Sequence, residues 1–127
     1  MILISTIIQK SDLTGGIIIK TGIIIKGIGG FYYVDTSEGI YESRARGVFR
    51  KQGITPLPGD KVKISVVDSE KMIGYVEKIE QRSSVLERPA VANVEQVVAV
   101  VSVNCPKPDM TLLDKLLITV EKKNLKA

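Results

Sequence analysis

The chain has 127 residues, of which 44% are hydrophobic and 25% charged, and its formal net charge is +4. This length and composition are typical of one soluble domain, or of a small domain followed by part of another. The sequence contains no histidine and one cysteine, Cys105. Histidine-based catalysis and an internal disulfide are therefore excluded, and we expect Cys105 to be a small buried residue in a reducing compartment. The basic charge favours an anionic partner only weakly.

The sequence has no segment suited to membrane insertion or secretion. Its longest apolar runs, Met1–Ile4 and Val97–Val101, are far shorter than the roughly 20 residues that span a bilayer. The N-terminal MILISTIIQK lacks a basic region and a cleavage site of small residues, so we expect no signal peptide. The sequence therefore predicts a cytoplasmic protein without a membrane partner.

The stretch GIIIKTGIIIKGIGGFYY, residues 16–33, raises the question of a phosphate-binding loop. Gly22 and Gly27 have the Walker A spacing, but Ile28 and Gly29 stand where lysine and serine or threonine are required. The fingerprint G-x-G-x-x-G fails too, because its third glycine is missing. β-Branched isoleucines favour a strand, and glycine within such a run marks a bulge or bend. We therefore predict strands here, and we expect only the second GIIIK run to be needed.

Turn residues divide residues 17–80 into short β-segments with no helical period. The turn signals are DTSEG, LPGD and DSEK. Between them we predict five strands: Gly22–Ile28, Phe31–Asp35, Gly39–Arg46, Lys61–Val67 and Gly74–Glu80. Five short strands with glycine kinks are typical of a small Greek-key barrel of the OB type.

The composition changes after Gln81. A polar stretch that ends at a proline indicates a linker over residues 83–93. Val94–Val103 (VEQVVAVVSV) is typical of a strand covered on both faces in a parallel sheet, and TLLD predicts the capping box of a helix over 111–123. Such a β–α half-unit cannot satisfy the edges of its own strand. We therefore predict an OB-fold RNA-binding domain over 1–82, a linker, and the incomplete start of a second domain over 94–127.

Basic residues cluster in the segment RARGVFRK, residues 44–51. In an extended strand Arg44 and Arg46 share one face, and Arg50 and Lys51 continue this basic ribbon past a glycine. Such a ribbon can pair with successive phosphates, with Lys26 as a helper, or it can be the solvated charge of an edge strand. OB barrels bind oligonucleotides, which favours RNA. The aromatic residues that could stack on bases are Phe49, Tyr32, Tyr33 and Tyr41.

No pair of carboxylates, metal-ligand cluster or nucleophile–base pair stands out in the sequence. Asp60 is interpreted as a turn residue that opens a strand, and Asp109 and Asp114 as helix-end residues. We therefore predict no catalytic site in this chain.

Four segments, in this order and spacing, closely resemble the ribosome small-subunit-dependent GTPase A family (RsgA, also called YjeQ or YloQ). They are GIIIKGIGGFYYV, RARGVFRK, PLPGDKV and RPAVANVEQVVAVVSVNCPKPDMTLLDKLLITVEKKNL. The resemblance covers about residues 22–125, and RPAVANVEQ with the LLDKLL helix is its most specific part. Residues 1–20 depart from it, as either a duplicated strand or an N-terminal extension.

The resemblance implies an OB fold, a circularly permuted GTPase domain and a zinc knuckle, in a protein that binds the small ribosomal subunit in late maturation and hydrolyses GTP there. Val94–Val103 would be the first strand of the GTPase domain. NKxD, GxxxxGK[ST], DxPG and the zinc cluster are absent from this sequence. We therefore expect GTP, Mg²⁺ and Zn²⁺ only in the full-length protein, and no hydrolysis by this chain alone. For the residues that are present, the resemblance implies contact with 16S rRNA phosphates by Arg44, Arg46, Arg50 and Lys51.

Two other functions stay open from the sequence. One is a stand-alone OB-fold RNA-binding module. The other is an assembly protein that self-associates by pairing its exposed strand 94–103 with a second chain.

Overall fold

The computed structural model describes residues 17–127, and their first part forms a closed five-stranded barrel. Neighbouring strands follow the order β1-β2-β3-β5-β4, and β4 pairs with β1 to close the barrel. All pairs are antiparallel except β3 with β5. The strands are β1 Ile18–Ile28, β2 Phe31–Thr36, β3 Gly39–Ala45, β4 Lys61–Asp68 and β5 Ile73–Ile79. The predicted OB-type barrel is thus confirmed, with most strand ends within one residue of their expected positions.

The barrel core follows from the period-two alternation of its strands, which points every second side chain inward. The inward residues are mainly β-branched, as suits a pleated sheet. A short helix α1 (Gly47–Lys51), which the sequence did not predict, contributes Phe49 to this core. The buried residues of the core are Ile24, Val34, Tyr41, Phe49, Val62, Ile64 and Val76.

Strand β1 is long because its two halves pair with different neighbours. Ile18–Ile23 pairs with β4, and Gly22–Ile28 pairs with β2. Residues 18–20 of the first GIIIK run and the whole of the second therefore lie in one strand, and the expectation that only the second is needed was wrong. Residues 1–16, which the sequence suggested as part of an extension, lie outside the described residues. Strand β1 ends in a two-residue turn at Gly29 and Gly30, whose φ values of 59° and 86° suit glycine.

The predicted linker is a structured hairpin that docks on the barrel. Its strands are β6 (Val85–Glu87) and β7 (Ala90–Ala92). The amide N–H of Ala92 donates to the carbonyl of Pro58 at 2.9 Å, and the Asn93 side chain donates to Gly59 at 2.8 Å. A side chain at Gly59 would overlap with the Ala92 carbonyl, so only glycine permits this approach.

A buried ion pair stands beside this hairpin. Arg82 donates to both carboxylate oxygens of Asp60 at 2.8 Å and to the Thr55 carbonyl at 2.8 Å. Asp60 is fully buried and also accepts from the Leu57 amide at 2.8 Å. The carboxylate raises the pKa of Arg82, chiefly through this hydrogen bond and against the effect of burial. Asp60 is thus more than a turn residue, because it ties the loop before β4 to the segment that leaves β5.

The second half-unit forms only in part. Helix α2 (Met110–Lys122) is present, but its N-cap is Asp109, which accepts from the amides of Thr111 and Leu112, and not the predicted Thr111. The predicted strand 94–103 is absent from the secondary structure. Its only pairing within the described residues is a parallel bridge between Gln96 and Lys126.

The absence of that strand has a simple physical reason. A strand of a parallel sheet needs neighbours on both edges and cover on both faces, and residues 98–105 have neither here. Val98, Val100 and Val103 are accordingly 76%, 93% and 87% exposed. Cys105, expected to be buried, is exposed for the same reason. Neither helix described between residues 17 and 127 is long and apolar enough to span a bilayer.

Candidate nucleic-acid interface

One outer face of the barrel alternates basic and aromatic residues across neighbouring strands. Phe31 on β2 lies opposite Arg44 on β3, which in turn lies opposite Tyr75 on β5. Lys26 on β1 lies opposite Tyr33 on β2 in the adjacent row. We call this surface of β1, β2, β3 and β5 the basic–aromatic face.

Each cation on this face lies over an aromatic ring. The Arg44 guanidinium is 4.6 Å from the centre of the Phe31 ring, and the Lys26 ammonium is 5.0 Å from that of Tyr33. Arg46, which follows β3, is 5.4 Å from the ring centre of Tyr75. Such stacking holds long side chains extended over the sheet while their hydrogen-bond donors stay available to a ligand.

Arg46 differs from the other cations because a carboxylate already neutralises it. Its Nε donates to Glu77 at 2.7 Å, and the Ser65 hydroxyl donates to the same oxygen at 2.5 Å. Burial raises the pKa of Glu77, but the hydrogen bonds from Arg46 and Ser65 and the arginine charge outweigh it, so the net shift is downward. The pKa of Arg46 is raised mainly by the same hydrogen bond. Arg46 is therefore less available to a phosphate than its position suggests.

A second carboxylate lies on the same face. The Tyr33 hydroxyl donates to Glu42 at 3.3 Å, and the charge of Glu42 is the main cause of the raised pKa of this tyrosine. Tyr33 thus stays a neutral aromatic group across the physiological range. Its ring, with Lys26 above it, is oriented by this contact.

The predicted basic ribbon is not one extended strand. Only Arg44 lies on β3, while Arg46 is the N-cap of α1, and Arg50 and Lys51 lie on that helix. Within residues 17–127, Arg44, Arg50 and Lys51 form no ion pair with an acidic side chain. The basic groups are therefore spread from the sheet face around one end of the barrel.

Two aromatic residues suggested for stacking are placed elsewhere. Phe49 is 6% exposed and Tyr41 is 2% exposed, so both rings belong to the core and cannot stack on a base. Phe31 and Tyr75 stand on the face instead, and neither residue was predicted to lie there. The sequence could have located Phe31. Residues that are paired across the predicted β2–β3 hairpin point to the same face, and Phe31 is paired with Arg44. The position of Tyr75 beside Arg44 depends on the parallel pairing of β3 with β5, and no sequence pattern predicted that pairing.

Comparison with known proteins agrees with this architecture. A family model described as the RsgA N-terminal domain matches residues 21–76. The small ribosomal subunit biogenesis GTPase RsgA of Ruminiclostridium cellulolyticum is 54% identical over 109 residues, covering 84% of this chain and 36% of that protein. The protein of the same name from Alkaliphilus metalliredigens is 47% identical over 104 residues, with 82% and 36% covered. The chain thus spans about a third of the length of these relatives.

Two solved structures share the fold. YloQ, described as a circularly permuted GTPase, matches with a TM-score of 0.66 and 38% identity, over 85% of this chain and 38% of that one. YjeQ from Thermotoga maritima matches with a TM-score of 0.68 and 32% identity, over 85% and 39%. By sequence and by fold, the chain is similar to the N-terminal part of RsgA proteins.

Proposed function

We propose that this chain is the RNA-binding N-terminal region of a ribosome-associated GTPase that acts in late maturation of the small (30S) ribosomal subunit. The proposed ligand is 16S rRNA, and the proposed contact surface is the basic–aromatic face with the neighbouring Arg50 and Lys51. The observation that carries the proposal is the alternation of cations and rings across β1, β2, β3 and β5. The names of the relatives, small ribosomal subunit biogenesis GTPases, support the choice of partner.

The chemistry of this face suits an RNA backbone. Guanidinium groups pair with phosphates, and the release of condensed counterions makes such binding fall steeply with salt. Arg44, which has no acidic partner among residues 17–127, is the best placed of the sheet cations. Exposed rings beside it add stacking on unpaired bases.

We place GTP hydrolysis outside residues 1–127. Phosphoryl transfer needs a phosphate cradle, a lysine and Mg²⁺ ligands, and the motifs that supply them are absent from this sequence. GTP, Mg²⁺ and a structural Zn²⁺ are accordingly proposed as ligands of the remainder of a longer protein. The proposed location, with the ribosome, is the cytoplasm.

The RNA-binding proposal is tested with Arg44→Glu combined with Arg50→Glu. Neither arginine has an acidic partner within the described residues, so the pair can be reversed without breaking an ion pair. Binding to purified small subunits should weaken about tenfold or more, and its salt dependence should become flatter by about two phosphate contacts.

The matched control reverses Lys61 and Lys63, which are exposed on β4 outside the proposed face. This double variant has the same net charge, and we expect it to bind nearly as well as the parent chain. Equal losses in the two double variants would contradict a specific face and leave only a general effect of charge.

The proposed absence of activity is tested by incubating the purified 127-residue chain with GTP and Mg²⁺, with and without small subunits. We expect no phosphate release above that of the subunits alone. Turnover by this chain that survives further purification would refute the proposed placement of the GTPase site.

A second candidate function has one observation in its favour. The exposed valines of residues 98–103 and the apolar side of α2 present a surface suited to pairing with another chain. Under this alternative the chain is an assembly protein that self-associates through residues 94–103. Light scattering discriminates between the two, because a monomer at about 100 μM would rule out self-association of useful strength.

A further inference from the structure

A groove at one end of the barrel adjoins the sheet face described above, and Arg46 lies at the boundary between them. It consists of two adjoining hollows of about 480 and 420 Å³. Both hollows are lined by Gly30 in the β1–β2 turn, by the half-buried ring of Tyr32, and by Thr55 and Pro56 from the loop after α1. The groove therefore runs between the β1–β2 turn and this loop, with Tyr32 at its middle.

The two halves of the groove differ in chemistry. One half contains the side chains of Arg46 and Arg50. The other is formed by the turn from Gly27 to Gly30 and by Pro58, and it is uncharged. The described residues that line either half include no acidic side chain. The groove thus offers a cationic end and an uncharged end, joined by one aromatic ring.

The position of Tyr32 depends on a glycine. A Cβ placed on Gly27 would lie 3.2 Å from two ring carbons of Tyr32, closer than most such contacts. The ring therefore packs against bare backbone on β1, and it is fixed within the groove by its contacts with the core. A fixed ring loses little conformational entropy when a flat ligand stacks on it.

We propose that this groove binds one unpaired nucleotide of a single-stranded RNA segment, with its base against Tyr32 and its phosphate at Arg50. The inference rests on the proposed RNA-binding function and adds the class of RNA. Only an unpaired base has a free face, since bases in a duplex are stacked on their neighbours. The sheet face would follow the backbone, whereas the groove would select unpaired RNA.

The test uses fluorescence anisotropy and the whole 127-residue chain. It compares a fluorescein-labelled single-stranded RNA octamer with a hairpin in which the same eight nucleotides form one strand of the stem. Tyr32→Ala should weaken binding of the octamer about 5- to 150-fold, which is the range for loss of one base–aromatic stack. Binding of the duplex should change less than about twofold. Tyr32→Phe keeps the ring and should restore octamer binding to near that of the parent.

A second pair of variants tests the groove without altering the core. Thr55 is exposed and lines both hollows, while its backbone carbonyl, which accepts from Arg82, is unaffected by a side-chain change. Thr55→Glu places a carboxylate in the groove. Ser69→Glu makes the same change of charge in the exposed turn after β4, at the other end of that strand. We expect Thr55→Glu to weaken octamer binding at least about fivefold more than Ser69→Glu.

The outcomes separate this inference from the function on which it rests. If the parent chain binds neither RNA, the RNA-binding function itself fails. If it binds both, but Thr55→Glu matches Ser69→Glu and Tyr32→Ala binds the octamer like the parent, only the groove is refuted. Equal losses of octamer and duplex binding in folded Tyr32→Ala would also overturn the preference for unpaired RNA.

Discussion

The barrel and the C-terminal region contain similar apolar segments, but the apolar side chains of the barrel core are buried and those of residues 98–103 are exposed. In β4 and β5, Ile64 and Val76 are fully buried, whereas Val100 in the segment before α2 is 93% exposed. The difference lies in the neighbours and not in the side chains. A closed barrel supplies both edges and an interior from within one short stretch of chain, whereas residues 98–103 have no such cover among the described residues. Hydrophobicity therefore determines burial only where neighbouring elements are present to cover the side chains.

The largest expected effect tests this comparison directly. Ile64→Ala should lower the free energy of unfolding by about 3.5 kcal/mol, because the deletion leaves a cavity in a packed core. Val100→Ala should change it by less than about 0.5 kcal/mol, because that side chain is almost fully in water. Urea denaturation followed by circular dichroism measures both. A cost above about 1.5 kcal/mol for Val100→Ala would show that residues 98–103 are buried in solution.

The ion pair between Arg82 and Asp60, which links the barrel to the C-terminal region, is expected to contribute nearly as much to the free energy of unfolding. Arg82→Met should cost about 3 kcal/mol, because it leaves the fully buried carboxylate of Asp60 without its cation. Lys78→Met is the control, since Lys78 forms only an exposed ion pair with Glu80 at 3.9 Å, and it should cost less than about 1 kcal/mol. Denaturant midpoints of the two variants provide the measurement. Similar midpoints would mean that Asp60 finds another partner.

The pairing of β1 with β2 is expected to depend on a close approach at Gly22. A side chain at Gly22 would overlap with the backbone carbonyl of Asp35, so Gly22→Ala should cost about 2 kcal/mol through displacement of β2. Gly47 has open space around it, and Gly47→Ala should change stability by no more than about 0.5 kcal/mol. Thermal melts compare the two variants. Equal melting temperatures would indicate that β1 and β2 separate at no cost.

The smallest effect concerns pH. Because the pKa of Glu77 is lower in the folded chain than its ordinary value near 4.5, its contribution to stability is present above that value. That contribution is lost as the pH falls through the folded pKa. The stability of Glu77→Gln should therefore fall less steeply below about pH 4.5 than that of the parent, with Glu80→Gln as the control. Parallel stability profiles for parent and Glu77→Gln would contradict the assignment.

The strand pattern of the barrel was predictable because period-two alternation and turn residues are local features. The positions of the residues in the candidate RNA-binding site were harder to predict from the sequence. Arg50 and Phe49 were expected on an extended ribbon, but the five-residue helix α1 turns the ring into the core and the guanidinium towards the groove. Nothing in five residues distinguishes a short helix from a strand end, since tertiary packing decides between them. The Arg46–Glu77 pair joins residues 31 positions apart, a distance at which sequence patterns give no information.

The doubled GIIIK motif has a consequence for how β1 chooses its register. Its repeat of six residues is an even number, so a slip of β1 by one repeat would keep isoleucines on the same faces and would bring Lys20 opposite Tyr33, where Lys26 now lies. The side chains of the repeat therefore discriminate poorly between the two alignments. Discrimination comes from the unrepeated turn at Gly29 and Gly30, whose left-handed backbone fits only one alignment of β1 with β2. The folding of this chain should accordingly depend on early formation of that hairpin. The turn then fixes the register of β1, because the repeated sequence of the strand favours two alignments almost equally.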